Sequence, residues 1–168
     1  MVKVVLGGTF EYLHAGHSRL IEEAFHLLKE EGGGLVHIGL TSDKMAGEKT
    51  HSVSDYDTRK KELDFFISNL IQKLSLPNDC YFISQLDDPF GPAATEEYNY
   101  IIVSPETRAG AEKINQIRLS RNLPELKIRE IFFVLAEDTL PISSTRISKG
   151  EIDREGRIQK KIQKKIQK

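Results

Sequence analysis

The chain lacks the features that would send it out of the cell or into a membrane. Its 168 residues include one cysteine, Cys80, which has no partner for an internal disulfide. A buried, inert thiol in a reducing compartment is expected. No apolar run approaches the ~20 residues of a helical span. The apolar opening Met1-Val2-Lys3-Val4-Val5-Leu6 is too short for a secretory signal and runs straight into a glycine turn. These absences predict a cytoplasmic protein. Two phosphate-binding signatures, GxxxxGK[ST] and GxGxxG, are also missing, so the ordinary P-loop and dinucleotide readings fall away. So is a basic body. Residues 151–168 hold seven Lys or Arg against three Asp or Glu, dividing a chain of net charge −1 into a +4 tail and a −5 remainder. Neither nucleic acid nor a membrane surface is the partner that such a remainder suggests.

What is present is a globular composition, 39% hydrophobic and 29% charged, at a length that suits one domain. Apolar runs rich in β-branched residues at 2–6, 35–40, 81–84, 100–103 and 128–135 predict five strands. Helical spacing predicts helices over 16–30, 56–74 and 106–121, with a short one beginning near Ser143. Leu20, Ile21, Ala24, Phe25, Leu27 and Leu28 form the apolar face of the first. Leu63, Phe66, Ile67, Leu70 and Ile71 do the same for the second. Alternating strands and helices imply right-handed crossovers, hence an α/β, doubly wound, Rossmann-like domain with a mainly parallel five-stranded sheet. That domain is expected over 1–150. A basic tail, helical or flexible, follows over 151–168, with Ile158, Ile162 and Ile166 repeating every fourth residue. Ligands of such sheets bind beyond the carboxyl ends of the strands, which directs attention to 7–17, 41–44, 85–92, 104–108 and 137–146.

The first of these stretches reads Gly7-Gly8-Thr9-Phe10-Glu11-Tyr12-Leu13-His14-Ala15-Gly16-His17. Two glycines permit a tight turn that presents N–H groups to an anion, and Gly16 permits close backbone approach. His17 opens a helix whose amino end favours phosphate. Two imidazoles three positions apart could instead chelate a metal, but no third ligand stands nearby, and HxxH alone is a weak zinc signal. The flanking glycines and threonine favour phosphate.

This run resembles the GTFDxxHxGH signature of the T/HxGH nucleotidyltransferase superfamily, with Glu11 at the usual aspartate position. Ile142-Ser143-Ser144-Thr145-Arg146, at the start of a predicted helix, resembles the second signature, ISSTR. The resemblance implies an ATP site built from Gly8, Thr9, Phe10, His14, His17, Ser143, Ser144, Thr145 and Arg146. His17 would stabilise the pentacoordinate α-phosphate, Thr9 would orient the attacking group, and the hydroxyls of 143–145 with the Arg146 guanidinium would hold the β- and γ-phosphates. Magnesium would be carried with ATP by substrate oxygens and water, without a protein metal site. Lys44 stands where the family places a basic residue for the acceptor phosphate, which makes His17, Lys44 and Arg146 the implied catalytic set. An exposed surface lysine is the alternative reading of Lys44. Lys49, Arg59, Lys60 and Lys61 compete with it, Arg59 foremost.

The acceptor is suggested by the middle of the chain. Asp88-Pro89-Phe90-Gly91-Pro92, Val103-Ser104-Pro105-Glu106-Thr107, Gly110-Ala111, Ile114-Asn115 and Arg118 resemble the archaeal and eukaryotic type of phosphopantetheine adenylyltransferase, over roughly residues 1–150. The implied reaction joins 4′-phosphopantetheine to the AMP moiety of ATP. On the residues alone, 88–92 is equally a structural turn and Ser104 equally a helix cap. Arg108 is a further candidate for the acceptor phosphate or an exposed first-turn arginine. Lys44, Arg59 and Arg108 thus share the candidacy for that role. His26 and His37 suit packing or the surface, and His51 a loop. The alternatives are a cytidylyltransferase, a flavin or nicotinamide mononucleotide adenylyltransferase, or a nucleotide-binding regulator without catalysis. A monomer is the expected state.

Overall fold

The computed structural model of the protein describes residues 1–47 and 52–159, so Lys49, His51 and the repeat over 160–168 lie outside the described residues. Strands β1 (Val2–Gly8), β2 (Gly34–Thr41), β3 (Tyr81–Leu86), β4 (Tyr100–Val103) and β5 (Lys127–Glu130) form one all-parallel sheet in the order β3-β2-β1-β4-β5. Alternation along β1 sends Val4 and Leu6 into one core and Val5 into another. The first core is closed by α1 (Ala15–Glu30) and α3 (Tyr56–Leu74), which contribute Ile21, Phe25, Leu63 and Ile67. The second is closed by α4 (Arg108–Ser120), through Ala111 and Ile114. Among the described residues there are also two single turns, α2 (Asp43–Ala46) and α5 (Ser144–Ser148), and a 3-10 turn over Gly91–Ala94. Helices on both faces of a parallel sheet are the expected doubly wound arrangement.

Local sequence sets the helix limits. α1 ends at Glu31 and Gly32, whose φ of 82° no β-carbon-bearing residue adopts cheaply. α3 begins where the Asp55 carboxylate accepts the Thr58 N–H at 2.8 Å. Because β2 flanks β1 on one side and β4 on the other, strand order reverses at β1, and the crevice opens above the carboxyl ends of β1 and β4.

Two segments differ from expectation. β5 stops at Glu130 instead of continuing to Leu135, because β4, its one neighbour among the described residues, is four residues long. The Ile131 N–H still reaches the Val103 carbonyl at 2.9 Å, and beyond it the chain leaves the sheet with Phe132 86% exposed. The other difference lies in the described part of the basic tail. Residues 151–159 form a docked turn and not a helix, with Ile152 and Ile158 paired antiparallel. Ile152 is 1% exposed against Ala136 and Ile142, and the Arg154 carbonyl accepts the Ala15 N–H at 3.0 Å. The turn therefore fastens α5 to the start of α1. Ile152→Ala should lower unfolding free energy by roughly 2–4 kcal/mol in urea titration. A change below about 0.5 kcal/mol would mean that the turn is an appendage.

Candidate functional site

His14 is the N-cap of α1. Its Nδ1 accepts the N–H groups of Gly16 at 3.0 Å and His17 at 3.3 Å, while His17 Nδ1 accepts the His14 N–H at 3.3 Å. The result is a capping box made of two imidazoles, stacked at a centroid separation of 3.7 Å. Gly16 is obligatory for a reason specific to this cap: an added β-carbon would sit 2.8 Å from His14 Cε1. With Arg154 on Ala15 and the His14 carbonyl on the Ser18 N–H, the first amides of α1 are all paired. The helix end expected to offer N–H groups to phosphate has spent them on its own cap.

The cap also fixes the chemistry of the rings. A nitrogen that accepts an N–H carries no proton, so in the neutral imidazoles the hydrogen is on Nε2. Burial pushes His14 down to about 4. Burial first, and the His14 imidazole second, hold His17 well below the usual histidine range. Both histidines are thus neutral donors, and both line a cavity of about 280 Å³ beyond the end of β1. Gly8, Thr9 and Phe10 line it from the same loop, and Ser143, Ser144 and Thr145 from the start of α5.

The loop is strung between distant parts of the chain. Phe10 and Tyr12 have φ of 51° and 46°, a conformation that persists only where surroundings impose it. Arg59, 2% exposed, imposes much of it. Its Nη1 donates to the Thr9 carbonyl at 3.1 Å and Thr41 Oγ1 at 3.2 Å, Nε to the Ser54 carbonyl at 2.8 Å, and Nη2 to Asp43 at 3.2 Å. Glu11, 4% exposed, answers from the loop by accepting the Ser54 N–H at 2.7 Å and hydroxyl at 3.0 Å. Thr41 Oγ1, an acceptor toward Arg59, donates to Thr9 Oγ1 at 3.1 Å. That leaves the Thr9 hydroxyl hydrogen for a ligand.

The second signature is partly spent in the same way. Ser143 Oγ accepts the Arg146 N–H at 3.3 Å and keeps its own hydrogen, whereas Ser144 Oγ donates to the Glu11 carbonyl at 2.7 Å. Arg146 lies outside the cavity lining, paired with Asp138 and Glu151. A second cavity, of about 380 Å³, shares Gly7, Gly8, Thr9, Glu106 and Thr107 with the first and is otherwise mostly apolar, walled by Leu86, Pro89, Phe90 and Ala111. Lys44 is exposed on α2 and lines neither cavity, although its neighbour Met45 lines the second. Arg108 lines neither and pairs with Glu112 at 3.1 Å and Glu130 at 2.9 Å. Lys60 pairs with Asp64. His37 is buried between Tyr98 and Ser84, and His26 is exposed, both away from these cavities.

Sequence reasoning missed the parts played by five residues. Glu11 was legible only as the residue at the aspartate position of the signature, and its partner Ser54, 43 positions away, carries no recognisable signal. Glu106, a carboxylate at the junction of the cavities, was legible only as part of a matching segment. Phe132 and Phe133, which wall the first cavity, were hidden in an apolar run read as strand.

Comparison with known proteins bears on the whole chain. A family profile described as cytidylyltransferase-like matches residues 5–150. The phosphopantetheine adenylyltransferase of Methanosarcina barkeri is 49% identical over 162 residues, 96% of each chain. That of Methanosarcina mazei is 51% identical over 160 residues, 95% of this chain and 99% of its own. Among solved structures, a protein of unknown function from Archaeoglobus fulgidus is 33% identical with a TM-score of 0.66, over 77% of this chain and 89% of its own. A product-bound parasite tRNA synthetase, 11% identical, shares the fold alone, with a TM-score of 0.64 over 88% of this chain and 53% of its own.

Gly16→Ala should displace the His14 ring and weaken nucleoside triphosphate binding roughly 10- to 100-fold by calorimetry, with the circular dichroism spectrum retained. Unaltered binding would remove the cap from the account.

Proposed function

Because the chain belongs to the cytidylyltransferase-like family, and within it to the archaeal-type phosphopantetheine adenylyltransferases, we propose that it moves the adenylyl group of ATP onto 4′-phosphopantetheine, a step of coenzyme A biosynthesis. The observation that carries this reading is the junction at Gly7, Gly8 and Thr9, where a cavity lined by neutral imidazole and hydroxyl donors meets an apolar one. Two substrates that react through a phosphate at one end, one of them a long thin apolar-walled arm, suit such a pair.

ATP occupies the first cavity, its base against the apolar wall of Ile131, Phe133 and Val134, its triphosphate toward His14, His17 and Ser143. Pantetheine lies along Leu86, Pro89 and Phe90, its phosphate rising to Thr9. An oxygen of that phosphate attacks the α-phosphorus, the new P–O bond forms as the bond to the bridging oxygen of pyrophosphate breaks, and pyrophosphate leaves with the electron pair. No covalent enzyme intermediate is needed, so the protein's contribution is alignment and stabilisation of the charge that builds on the α-phosphate. His17 Nε2–H donates to that phosphate, with His14 Nε2–H beside it. The Thr9 hydroxyl orients the attacking group, held in direction by Thr41.

Lys44 supplies the acceptor phosphate with a cation by reaching from α2. Arg59 is committed to the loop, and Arg108 would have to leave two carboxylates to serve instead. Magnesium enters on the triphosphate, held by substrate oxygens and water, where it neutralises phosphate charge. No helix among the described residues is long and apolar enough to cross a membrane.

Pyrophosphate release from ATP should occur with 4′-phosphopantetheine and not with glycerol phosphate, flavin mononucleotide or nicotinamide mononucleotide; turnover confined to one of the latter would overturn the acceptor assignment. His17→Ala should lower kcat at least ~100-fold with the fold preserved. Lys44→Ala should raise KM for the acceptor and leave KM for ATP alone, and an unchanged acceptor response would move that role to another cation.

A further inference from the structure

Arg146 holds more partners than a phosphate-binding arginine can keep. Its Nη1 and Nη2 both meet the Asp138 carboxylate, Nη1 also donates to the Pro141 carbonyl at 3.2 Å, and Nε donates to Glu151 at 3.0 Å. One guanidinium, 17% exposed, is therefore matched by two carboxylates. The lining of the ATP cavity holds Glu11 and Glu106 but no Lys or Arg. His14 and His17 are neutral, and Arg59 is buried against Asp43. A triphosphate arriving in this arrangement would meet no uncompensated cation among the side chains assigned to it.

Resting on the reading of this cavity as the triphosphate site, we propose that Asp138 is a stand-in anion: it occupies the Arg146 fork in the empty enzyme, and ATP binding exchanges its carboxylate for phosphate oxygens, so that Asp138 sets nucleotide affinity without touching substrate. The geometry suits an exchange. The two oxygens of Asp138 engage Nη1 and Nη2, the fork that also recognises a phosphate. Glu151 engages Nε, the other edge, and remains as a tether when the fork is released. Asp138 is 29% exposed, so its carboxylate returns to water on release instead of being stranded in the interior. It sits on a tight turn closed by the Ala136 N–H on the Leu140 carbonyl at 2.8 Å, with Thr139 at a φ of 65°. Arg146 sits one residue past the cavity-lining Ser143, Ser144 and Thr145, close enough in the chain for a side-chain rotation to change its partner.

The exchange lowers apparent ATP affinity by the fraction of enzyme in which the fork is released. Asp138→Asn removes the competing charge while keeping the size of the side chain. In the full chain, calorimetric titration with magnesium-ATP in the absence of acceptor should show Kd falling roughly 3- to 10-fold, with KM for the acceptor unchanged. Asp138→Ala should tighten binding in the same direction, which covers the case of an Asn variant that fails to fold. Unchanged or weaker ATP binding in both would overturn the proposal and make Asp138 a strut of its turn. Introducing Asp138→Asn into an Arg146→Gln background should have no effect on Kd, because the carboxylate acts through the guanidinium; the same tightening there would also overturn the exchange. Arg146→Gln alone separates the two readings. If it weakens ATP binding about tenfold or more while Asp138→Asn does not tighten it, the triphosphate site stands and only the exchange fails. If it leaves ATP binding unaltered, Arg146 is no phosphate ligand and both fail.

Discussion

The acceptance of two backbone N–H groups by His14 Nδ1 is the interaction on which the site depends. A helix start normally takes a serine, threonine, aspartate or asparagine as its cap. An imidazole in that place does the same work while presenting its other nitrogen outward. The cap, the tautomer, the stacking of His17 and the need for glycine at position 16 all follow from this one geometry. It also explains why the donors are neutral. A charged imidazole has no lone pair on Nδ1, so protonating His14 would cost the helix its cap as well as exposing a buried charge.

The cap would be of little use on a mobile loop. Arg59 and Glu11 tie residues 9–11 to the end of β2 and to the segment before α3, and Ser144 ties the same loop to α5. Three elements remote in sequence thus converge on a turn whose backbone is held at positive φ. A buried guanidinium is tolerable because its donors find carbonyls, a hydroxyl and Asp43. In the free protein the guanidinium charges are matched by the protein's own carboxylates, Arg59 by Asp43 and Arg146 by Asp138 and Glu151. In the proposed reaction the α-phosphate is left to uncharged donors, while the acceptor phosphate takes Lys44 and the triphosphate takes the fork of Arg146.

The sheet was legible because continuous apolar runs and helical stripes have different periods, and β1 to β4 lie where those runs lie. Of the candidate site, the lining of one cavity by Gly8, Thr9, Phe10, His14, His17, Ser143, Ser144 and Thr145 was legible because these residues stand in two short runs. What was not legible depends on tertiary neighbours. The run over 131–135 has the composition of a strand, yet a strand requires a partner, and β4 ends at Val103. Residues 151–159 looked like the opening of a basic tail because their charge masks the buried apolar side chain of Ile152. Arg59 read as a competitor for substrate phosphate because sequence gives a cation's position along a helix and not the carbonyls that surround it. Arg146 read as a phosphate ligand, and its carboxylate partners Asp138 and Glu151 were hidden for the same reason.

The neutral, Nε2-protonated state of the two capping imidazoles is the central claim, and nitrogen NMR of the His14 and His17 side chains reads it directly. In the free protein between about pH 7 and pH 5 the account predicts unprotonated Nδ1 and protonated Nε2 on both rings, with His14 taking up its second proton only near 4. A ring protonated on Nδ1, or one that titrates at the ordinary histidine value of about 6.5, would contradict it.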